Sequence, residues 1–336
     1  MDLVIIATEK KLSKEPMQLM LNGMAKQPQL RRLTILELDS LRSYEQLEKA
    51  LEGVDLATAA LIHKPHELVS IADGRLLQAY AEMESRFYYV QDRLESIRRI
   101  HHRSDIHGLL SSLTLEGLHT PCVFQLENQL TSEALLWADT HSPFFLKPND
   151  SNNHNLYLVR DASSLAALYP RLREEAEQTE TQRISEVSTV DTDLLHCNVT
   201  YLMEQYIPHN VVFKLYAYRG AILHVDFRAP LCLPEAFCHE NLRDKCTREV
   251  MYRKINSQTC PEIQTSITYT PTLAEQHLAQ KIAQLIYISS GLSILGIDAL
   301  RTPFGFYIID LNYFSGPKRI DWLDLKRLLL SDLPNY

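Results

Sequence analysis

The chain has 336 residues, of which 45% are hydrophobic and 23% charged, and its formal net charge is −8 at pH 7. This length exceeds what one small core can organise and predicts two or three subdomains of an ordinary globular enzyme. No apolar run is long enough to cross a membrane, and the acidic balance argues against a general nucleic-acid binder, so we expect neither partner.

Residues 1–95 alternate between strand-like and helix-like segments, which predicts a doubly wound α/β subdomain. The first strand, LVIIAT, has neither a basic flank nor a cleavage site, so it does not predict a signal peptide. We therefore expect a cytoplasmic protein, with nuclear entry also compatible. Lys11 follows this strand and Lys64 ends the third strand, ATAALIHK. Open α/β sheets bind ligands at such strand exits.

Residues 96–202 form the predicted central subdomain. The segment 96–113 is predicted to be basic and helical at its front, and it is followed by a strand, TPCVFQLE, and a helix, SEALLWADTH. The strand SPFFLKPND then carries Lys147 near its end and is predicted to form a hairpin with NLYLVRD. An acidic and polar stretch over 171–195 predicts a helix that gives way to a surface loop.

Residues 203–336 form the predicted carboxyl-terminal subdomain. It opens at the end of a buried strand, YLMEQYI, and continues with a predicted hairpin that turns at 219–220. The segment 232–270 is predicted to be irregular and holds four of the six cysteines. No cysteines form a Cys-x-x-Cys pair, so we expect free thiols rather than a zinc site. A long helix, a second hairpin and a last helix complete the prediction.

The second hairpin, LGIDALR-TPFG-FYIIDLN, is the most informative pattern in the chain. Asp310 and Asn312 lie two residues apart and therefore point to the same face of the sheet, while Asp298 lies in the facing strand. Carboxylate and amide oxygens are ligands that Mg²⁺ prefers, and Gly316 would let the backbone approach a ligand closely. The competing interpretation is an ordinary hairpin with solvated carboxylates.

Basic residues near strand ends give the hairpin a possible anionic partner. Lys147, Lys214 and Arg228 each lie on a predicted strand, and a strand with a polar end, MEQY, lies between the first two. The chain has no Walker A loop and no Gly-x-Gly-x-x-Gly. This order of elements resembles the ATP-grasp architecture, in which two α+β lobes hold ATP between two sheets. The predicted fold class is therefore α/β with ATP-grasp lobes.

Several motifs make the resemblance more specific. TEKK and LIHK are similar to the family motifs SEKK and IIHK, and EQYIPHNVVFKLYAYRG is similar to QNFINHNAVLYKVFVVG. DRLESIRRIHHRS, FFLKPNDSNNH, FRAPL and LGIDALR…FYIIDLNYFSG also have counterparts. Over nearly its whole length the chain resembles the inositol 1,3,4-trisphosphate 5/6-kinase and inositol-tetrakisphosphate 1-kinase family. The resemblance implies transfer of the ATP γ-phosphate to a hydroxyl of a small inositol phosphate by a monomeric enzyme.

The resemblance also implies a role for particular residues. Two Mg²⁺ ions would be held by Asp298, Asp310 and Asn312. ATP would be bound by Arg98, Lys147, and an adenine hinge made of Glu204, Gln205 and Tyr206. The inositol phosphate would be bound by Lys11, Lys64, His154, Lys214, Arg228, Asn312 and Gly316. Lys214 and Asp310 would act in catalysis. Each basic residue also has an ordinary interpretation as a solvated surface charge.

The chain departs from the family pattern in ways that bear on the acceptor. The segment 147–154 is about three residues shorter than its counterpart, lacking one histidine and a glycine. Glu204 stands where the family often has glutamine, and FSG replaces FPG. Two other functions therefore stay open. One is an ATP-grasp carboxylate–amine ligase that works through an acyl phosphate, and the other is a non-catalytic module that binds inositol phosphates.

Overall fold

The computed structural model describes residues 1–28, 30–38, 43–65, 74–127, 129–150, 155–186, 200–231, 252–255, 265–313 and 331. Strands in these ranges form a four-stranded sheet and two five-stranded sheets. None of the helices in these ranges is long and apolar enough to cross a membrane. Two predicted site residues, His154 and Gly316, and most of the predicted last helix lie outside the described residues.

The amino-terminal sheet is parallel, with strand order β2-β1-β3-β4. Its strands are β1 (Asp2–Ala7), β2 (Arg32–Glu37), β3 (Ala59–His63) and β4 (Tyr89–Val90). Its helices are α1 (Glu9–Leu12), α2 (Glu15–Ala25), α3 (Tyr44–Ala50) and α4 (Gly74–Ser85).

Helices cover both faces of this sheet, as the continuous apolar run in β1 predicts. Leu3 and Ile5 pack in one core cluster with Met20 of α2, whereas Val4 packs in a second cluster with Tyr80 of α4. Successive β1 side chains therefore enter opposite layers. The predicted doubly wound arrangement is confirmed.

The central sheet has the strand order β12-β8-β7-β9-β6, and all its neighbouring strands are antiparallel. Its strands are β6 (Val123–Leu126), β7 (Phe144–Pro148), β8 (Leu156–Val159), β9 (Tyr201–Gln205) and β12 (Tyr252–Ile255). Helices α7 (Ser132–Thr140) and α8 (Ala162–Glu186) pack on it. The prediction of an irregular segment over 232–270 missed β12, whose four residues show no decisive alternation.

The segment 96–113, which is predicted to be helical at its front, contains most of two helices, α5 (Leu94–Arg98) and α6 (Arg103–Ser111). The break arises because the backbone N–H of Arg103 donates to the carbonyl of Asn149, 2.7 Å away, instead of to a helical carbonyl. His102 also forms an isolated β-bridge with Asp150. A contact with a segment distant in sequence therefore lies at the start of the second helix.

The carboxyl-terminal sheet has the strand order β11-β10-β13-β14-β5. Its strands are β5 (Leu118–His119), β10 (Val211–Tyr218), β11 (Ala221–Arg228), β13 (Ile294–Thr302) and β14 (Gly305–Tyr313). Helix α9 (Leu273–Ser290) packs against it, held by a capping box at its start and by Gly291 (φ 70°) at its end. Both predicted hairpins are present.

The three sheets exchange strands along the chain. β5 belongs to the predicted central subdomain in sequence but pairs with β14 of the carboxyl-terminal sheet. β12 belongs to the predicted carboxyl-terminal subdomain in sequence but pairs with β8 of the central sheet. The predicted division into 1–95, 96–202 and 203–336 stays a prediction.

Candidate functional site

Four charged side chains lie in register across neighbouring strands of the carboxyl-terminal sheet. Lys214 on β10 faces Asp226 on β11 and Asp298 on β13, and Asp298 in turn faces Asp310 on β14. We call these residues the charge row. The Nζ atom of Lys214 lies 2.6 Å from Oδ2 of Asp298. The burial of β10 alternates, and Lys214 lies on the less buried face with Val212 and Tyr216.

One oxygen of the Asp310 carboxylate accepts no hydrogen bond. Its Oδ1 atom is buried without a hydrogen-bond partner, while Oδ2 accepts from Nδ2 of Asn312 at 3.1 Å. Burial raises the pKa of Asp310, and the neighbouring charge of Asp298 adds to this effect. Two close carboxylates with an orphaned buried oxygen fit a divalent cation.

The donor set is also chemically suited to Mg²⁺. Among the described residues no group of three His, Cys, Asp or Glu side chains could hold a metal ion. The predicted set here consists of two carboxylates and the side-chain amide of Asn312. Oxygen-only donors favour Mg²⁺ or Ca²⁺ over zinc. Asp298, Asp310 and Asn312 come together as predicted, and their role as metal ligands stays a prediction.

Lys147 and Glu204 form a buried ion pair on the central sheet. Nζ of Lys147 lies 2.6 Å from Oε1 of Glu204, and the two side chains are 8% and 7% exposed. Lys147 is the penultimate residue of β7, and Glu204 lies on the adjacent strand β9. Because taking two charges out of water is costly, a pair this well buried is weak evidence for a stabilising role.

The predicted adenine hinge has fewer available groups than expected. The backbone N–H of Gln205 donates to the carbonyl of Cys122 at 2.9 Å, and that of Tyr206 donates to the carbonyl of Pro143 at 3.2 Å. The side chain of Glu204 is engaged by Lys147. These contacts fix the conformation of the hinge, and the adenine contacts themselves stay a prediction.

Arg228 lies on β11, two residues after Asp226 and on the same face as the charge row. Its Nη2 atom lies 3.3 Å from Oδ2 of Asp226, whose Oδ1 lies 3.1 Å from Nε2 of His224. Burial opposes ionisation of Asp226, but these two hydrogen bonds outweigh it and lower its pKa. The sequence interpretation missed Asp226, although the alternation in HVDFR places all three residues on one face.

The carboxyl edge of the amino-terminal sheet adjoins the end of β14. The hydroxyl of Tyr313 donates to the carbonyl of His63 at 2.9 Å, one residue before Lys64. Lys11 lies in α1, directly after β1, and its side chain is largely buried. The hairpin of β13 and β14, which carries the predicted metal ligands, is called the metal hairpin below. Parallel strands end at the same edge of their sheet, so Lys11 and Lys64 share the edge that meets the metal hairpin.

Arg98 lines an open cavity of about 700 Å³ between α4, α5 and α6. His101, His102 and Arg99 also line it. Arg99 pairs with Glu95 at 3.0 Å and is more than half exposed, as a solvated neighbour of Arg98 should be. Contact of Arg98 with ATP stays a prediction.

A buried polar cluster joins the amino-terminal sheet to the start of β13. Nδ1 of His63 lies 2.8 Å from the hydroxyl of Tyr80, and its Nε2 is hydrogen-bonded to the carbonyl of Asp92. The carboxylate of Asp92 accepts from the backbone N–H of Ser293 at 2.6 Å. Glu84 lies 3.9 Å from Nε2 of His63. Burial lowers the pKa of His63 to about 4 and raises that of Asp92 to about 7.

We expect Asp92→Asn to change how stability depends on pH. Unfolded Asp92 loses its proton near 3.8 and folded Asp92 near 7, so the native state binds more protons between these values. This contribution to stability therefore falls as pH rises from about 4 to 7, and the variant lacks it. Relative to wild type, the variant should gain about 2 kcal/mol between pH 5 and pH 8, measured by urea unfolding.

His63 makes stability depend on pH in the opposite direction, and this contribution cancels when Asp92→Asn is compared with wild type. Its depressed pKa makes stability fall as pH drops below about 6.5, and it does so in both proteins. A stability difference between the two proteins that stays constant over this range would contradict a raised pKa for Asp92.

Solved structures align with nearly the whole chain. D-alanine–D-alanine ligase from Bacillus anthracis matches at TM-score 0.58 and 14% identity, covering 98% of this chain and 92% of that protein. The chain has the ATP-grasp fold. A RimK domain ATP-grasp protein from Sphaerobacter thermophilus matches at TM-score 0.54 and 14% identity, covering 97% and 96%. ATP-grasp ligase PsnB, solved with Mg and ADP, matches at 0.53 and 11%, covering 99% and 97%.

The comparisons with solved structures show the fold and no finer family. No family model matches the chain, and no curated protein does. The predicted ATP-grasp fold is confirmed, whereas the finer resemblance to inositol phosphate kinases stays a prediction.

Proposed function

We propose that this ATP-grasp chain is an ATP- and Mg²⁺-dependent enzyme that transfers the γ-phosphate of ATP to an oxygen acceptor. The observation that carries the proposal is the charge row, which ends at a buried carboxylate oxygen without a donor. Such an oxygen is costly in a protein that binds no cation there. A cation bound at this hairpin would provide the partner that Oδ1 of Asp310 lacks.

The residues divide into a metal set and a phosphate set. Asp298, Asp310 and Asn312 would hold Mg²⁺, which when bound neutralises phosphate charge. Lys147 is fixed by Glu204 and Lys214 by Asp298, so both ammonium groups are oriented before a ligand arrives. Preorganised charge of this kind stabilises a transferring phosphoryl group without reorganisation.

The structural neighbours favour a carboxylate as the acceptor class, since the proteins that share this fold include ligases. A carboxylate oxygen would attack the γ-phosphorus, the bond to the β-phosphate oxygen would break, and ADP would leave. The resulting acyl phosphate would react with an amine, which loses a proton as the amide bond forms and phosphate departs. The proposal is thus a carboxylate–amine ligase.

A hydroxyl of an inositol tris- or tetrakisphosphate is the second candidate acceptor. The observation in its favour is that Lys11 and Lys64 share the sheet edge that Tyr313 ties to the metal hairpin. Such an acceptor carries roughly two negative charges per phosphate and needs cations from several strands. The motif resemblance supports the same acceptor.

The acceptor classes can be separated with one protein preparation. The chain is incubated with Mg-ATP and either carboxylates and amines with hydroxylamine present, or a panel of inositol phosphates. Hydroxylamine converts an acyl phosphate into a stable hydroxamate, whereas a phosphorylated inositol is resolved by anion exchange and phosphorus NMR. We expect ADP and hydroxamate from the ligase. A new inositol phosphate without hydroxamate would identify the kinase, and ADP formation in neither set would reject phosphoryl transfer to both classes.

A further inference from the structure

His224 and Asp226 form a hydrogen-bonded pair on β11, the outermost strand of the carboxyl-terminal sheet. Nε2 of His224 lies 3.1 Å from Oδ1 of Asp226, whose side chain is 7% exposed. Burial raises the pKa of Asp226, but the hydrogen bonds from His224 and Arg228 outweigh it and lower that pKa, so the carboxyl group is ionised at neutral pH. A carboxylate only accepts hydrogen bonds. In the neutral imidazole Nε2 therefore carries the proton and Nδ1 carries the lone pair.

The pair lies on the face of the sheet that carries the predicted metal ligands. Beside the charge row, four further residues lie in register across the same strands, and we call them the second row: His224, Tyr216, Gly296 and Asn312. Residues that alternate with them, such as Leu215 and Ile297, pack on the other side of the sheet in the core cluster that includes α9. Both rows therefore face away from α9.

The second row lies between the charge row and the amino-terminal sheet. The backbone N–H of Ser293, just before β13, donates to Asp92, and the hydroxyl of Tyr313, at the end of β14, donates to the carbonyl of His63. In both strands the second row is two residues nearer to these contacts than the charge row is. An acceptor that reaches the metal hairpin from the edge of the amino-terminal sheet therefore passes over the second row.

Within the two rows, His224 is the group best suited to accept a proton. Burial raises the pKa of Tyr216, whose ring centroid lies 6.0 Å from that of His224, so its hydroxyl stays protonated. Burial lowers the pKa of Lys214, but the charge of Asp298 outweighs this effect and raises it, so Lys214 stays an ammonium. Asp226 accepts from two donors.

The spacing of the strands is compatible with a base that acts on the far side of the acceptor. Neighbouring strands lie about 4.8 Å apart, so the backbone of β11 lies about 10 Å from that of β13. An imidazole that extends from β11 and an acyl phosphate held at the metal hairpin can together span this distance. A general base needs to come within hydrogen-bond reach of the proton that it removes.

We propose that His224 is the catalytic base that takes the proton from the attacking amine, with Asp226 orienting its imidazole. The inference rests on the proposed function. The amine nitrogen attacks the acyl carbon, the bond from that carbon to the phosphate oxygen breaks, and phosphate leaves with the electron pair. The proton on the nitrogen passes to Nδ1 of His224, which then releases it to the departing phosphate. Asp226 stabilises the imidazolium that forms between these steps.

His224→Gln tests the proposal, because glutamine can still donate to Asp226 but takes up no proton. The probes are Mg-ATP with a panel of L-amino acids and D-alanine, each of which supplies a carboxylate and an amine. We expect dipeptide formation to fall about 100-fold or more. With hydroxylamine present, hydroxamate should form within about threefold of the wild-type rate, because this strong nucleophile reacts with an acyl phosphate without a catalytic base.

The matched control is His141→Gln. His141 lies at the end of α7 on the central sheet and stacks on Trp137, with ring centroids 4.4 Å apart. This variant should keep the wild-type rates of both dipeptide and hydroxamate formation. If His224→Gln does not fold, Asp226→Asn takes its place, and it should lower dipeptide formation at least about tenfold while hydroxamate still forms, because the imidazole loses its charged partner.

The outcomes separate the inference from the proposed function. Dipeptide formation at the wild-type rate in His224→Gln would overturn the inference. Equal losses of dipeptide and hydroxamate would also overturn it, because the defect would then precede capture of the amine. A wild-type chain that forms hydroxamate but no dipeptide from any member of the panel would overturn it as well. A wild-type chain that forms neither product would reject the proposed ligase, and the inference with it.

Discussion

Asp310→Asn should reduce ATP turnover by about 10³-fold or more while leaving the fold intact. The substitution keeps the shape of the side chain but removes the negative charge whose Oδ1 atom lacks a donor. Burial already raises the pKa of this carboxyl, so the neutral amide is no harder to bury, and the unfolding temperature should stay the same or rise. Turnover and thermal unfolding are measured on the same sample.

The matched control for this prediction is Asp161→Asn. Asp161 lies before α8, and its carboxylate accepts from Ser164 and Arg160, away from the charge row. Its pKa is lowered to about 2 because hydrogen bonds, chiefly from Ser164, outweigh burial. This variant should therefore lose stability and keep turnover per folded molecule. Asp310→Asn with wild-type turnover would remove Asp310 from the metal set.

Lys147→Met should cause the largest loss of stability of the single substitutions considered. It leaves the carboxyl group of Glu204 buried without its 2.6 Å partner, and breaking a buried pair in this way costs about 3–5 kcal/mol. Nucleotide affinity should fall as well, because Lys147 belongs to the proposed phosphate set. Urea unfolding at pH 7 gives the first quantity, and titration with an ATP analogue gives the second.

A double substitution separates the two effects. In Lys147→Met combined with Glu204→Gln no charge is left stranded, so most of the lost stability should return. Nucleotide affinity should remain low, because the phosphate-binding ammonium is still absent. Full recovery of affinity in the double variant would show that Lys147 serves the fold and not the ligand.

Local patterns were enough to predict much of the fold. The alternation of strand-like and helix-like segments over 1–95 predicted the doubly wound sheet, and the turn predicted at 219–220 joins β10 to β11. The break between α5 and α6 could not be predicted in this way. It depends on the carbonyl of Asn149, which lies more than forty residues from Arg103 in sequence.

The same distinction holds for the site, where contacts between residues close in sequence could be predicted and contacts between distant residues could not. The spacing of Asp310 and Asn312, with Asp298 in the facing strand, predicted their meeting, because a hairpin fixes register over a short distance. Asp92 was missed, since its donor, the backbone of Ser293, is 201 residues away and leaves no local pattern. Buried charges whose partners are distant in sequence become visible only in the folded chain.

The central claim is that the hairpin carrying Asp310 forms a Mg²⁺-dependent nucleotide site. The most direct measurement is calorimetric titration of the wild-type chain with a non-hydrolysable ATP analogue, with Mg²⁺ and then with a chelator, because it requires no knowledge of the acceptor. We predict binding that weakens at least about tenfold when Mg²⁺ is removed, and that loses this dependence in Asp310→Asn. Absence of binding with Mg²⁺ present, or equal affinity with and without it, would contradict the claim.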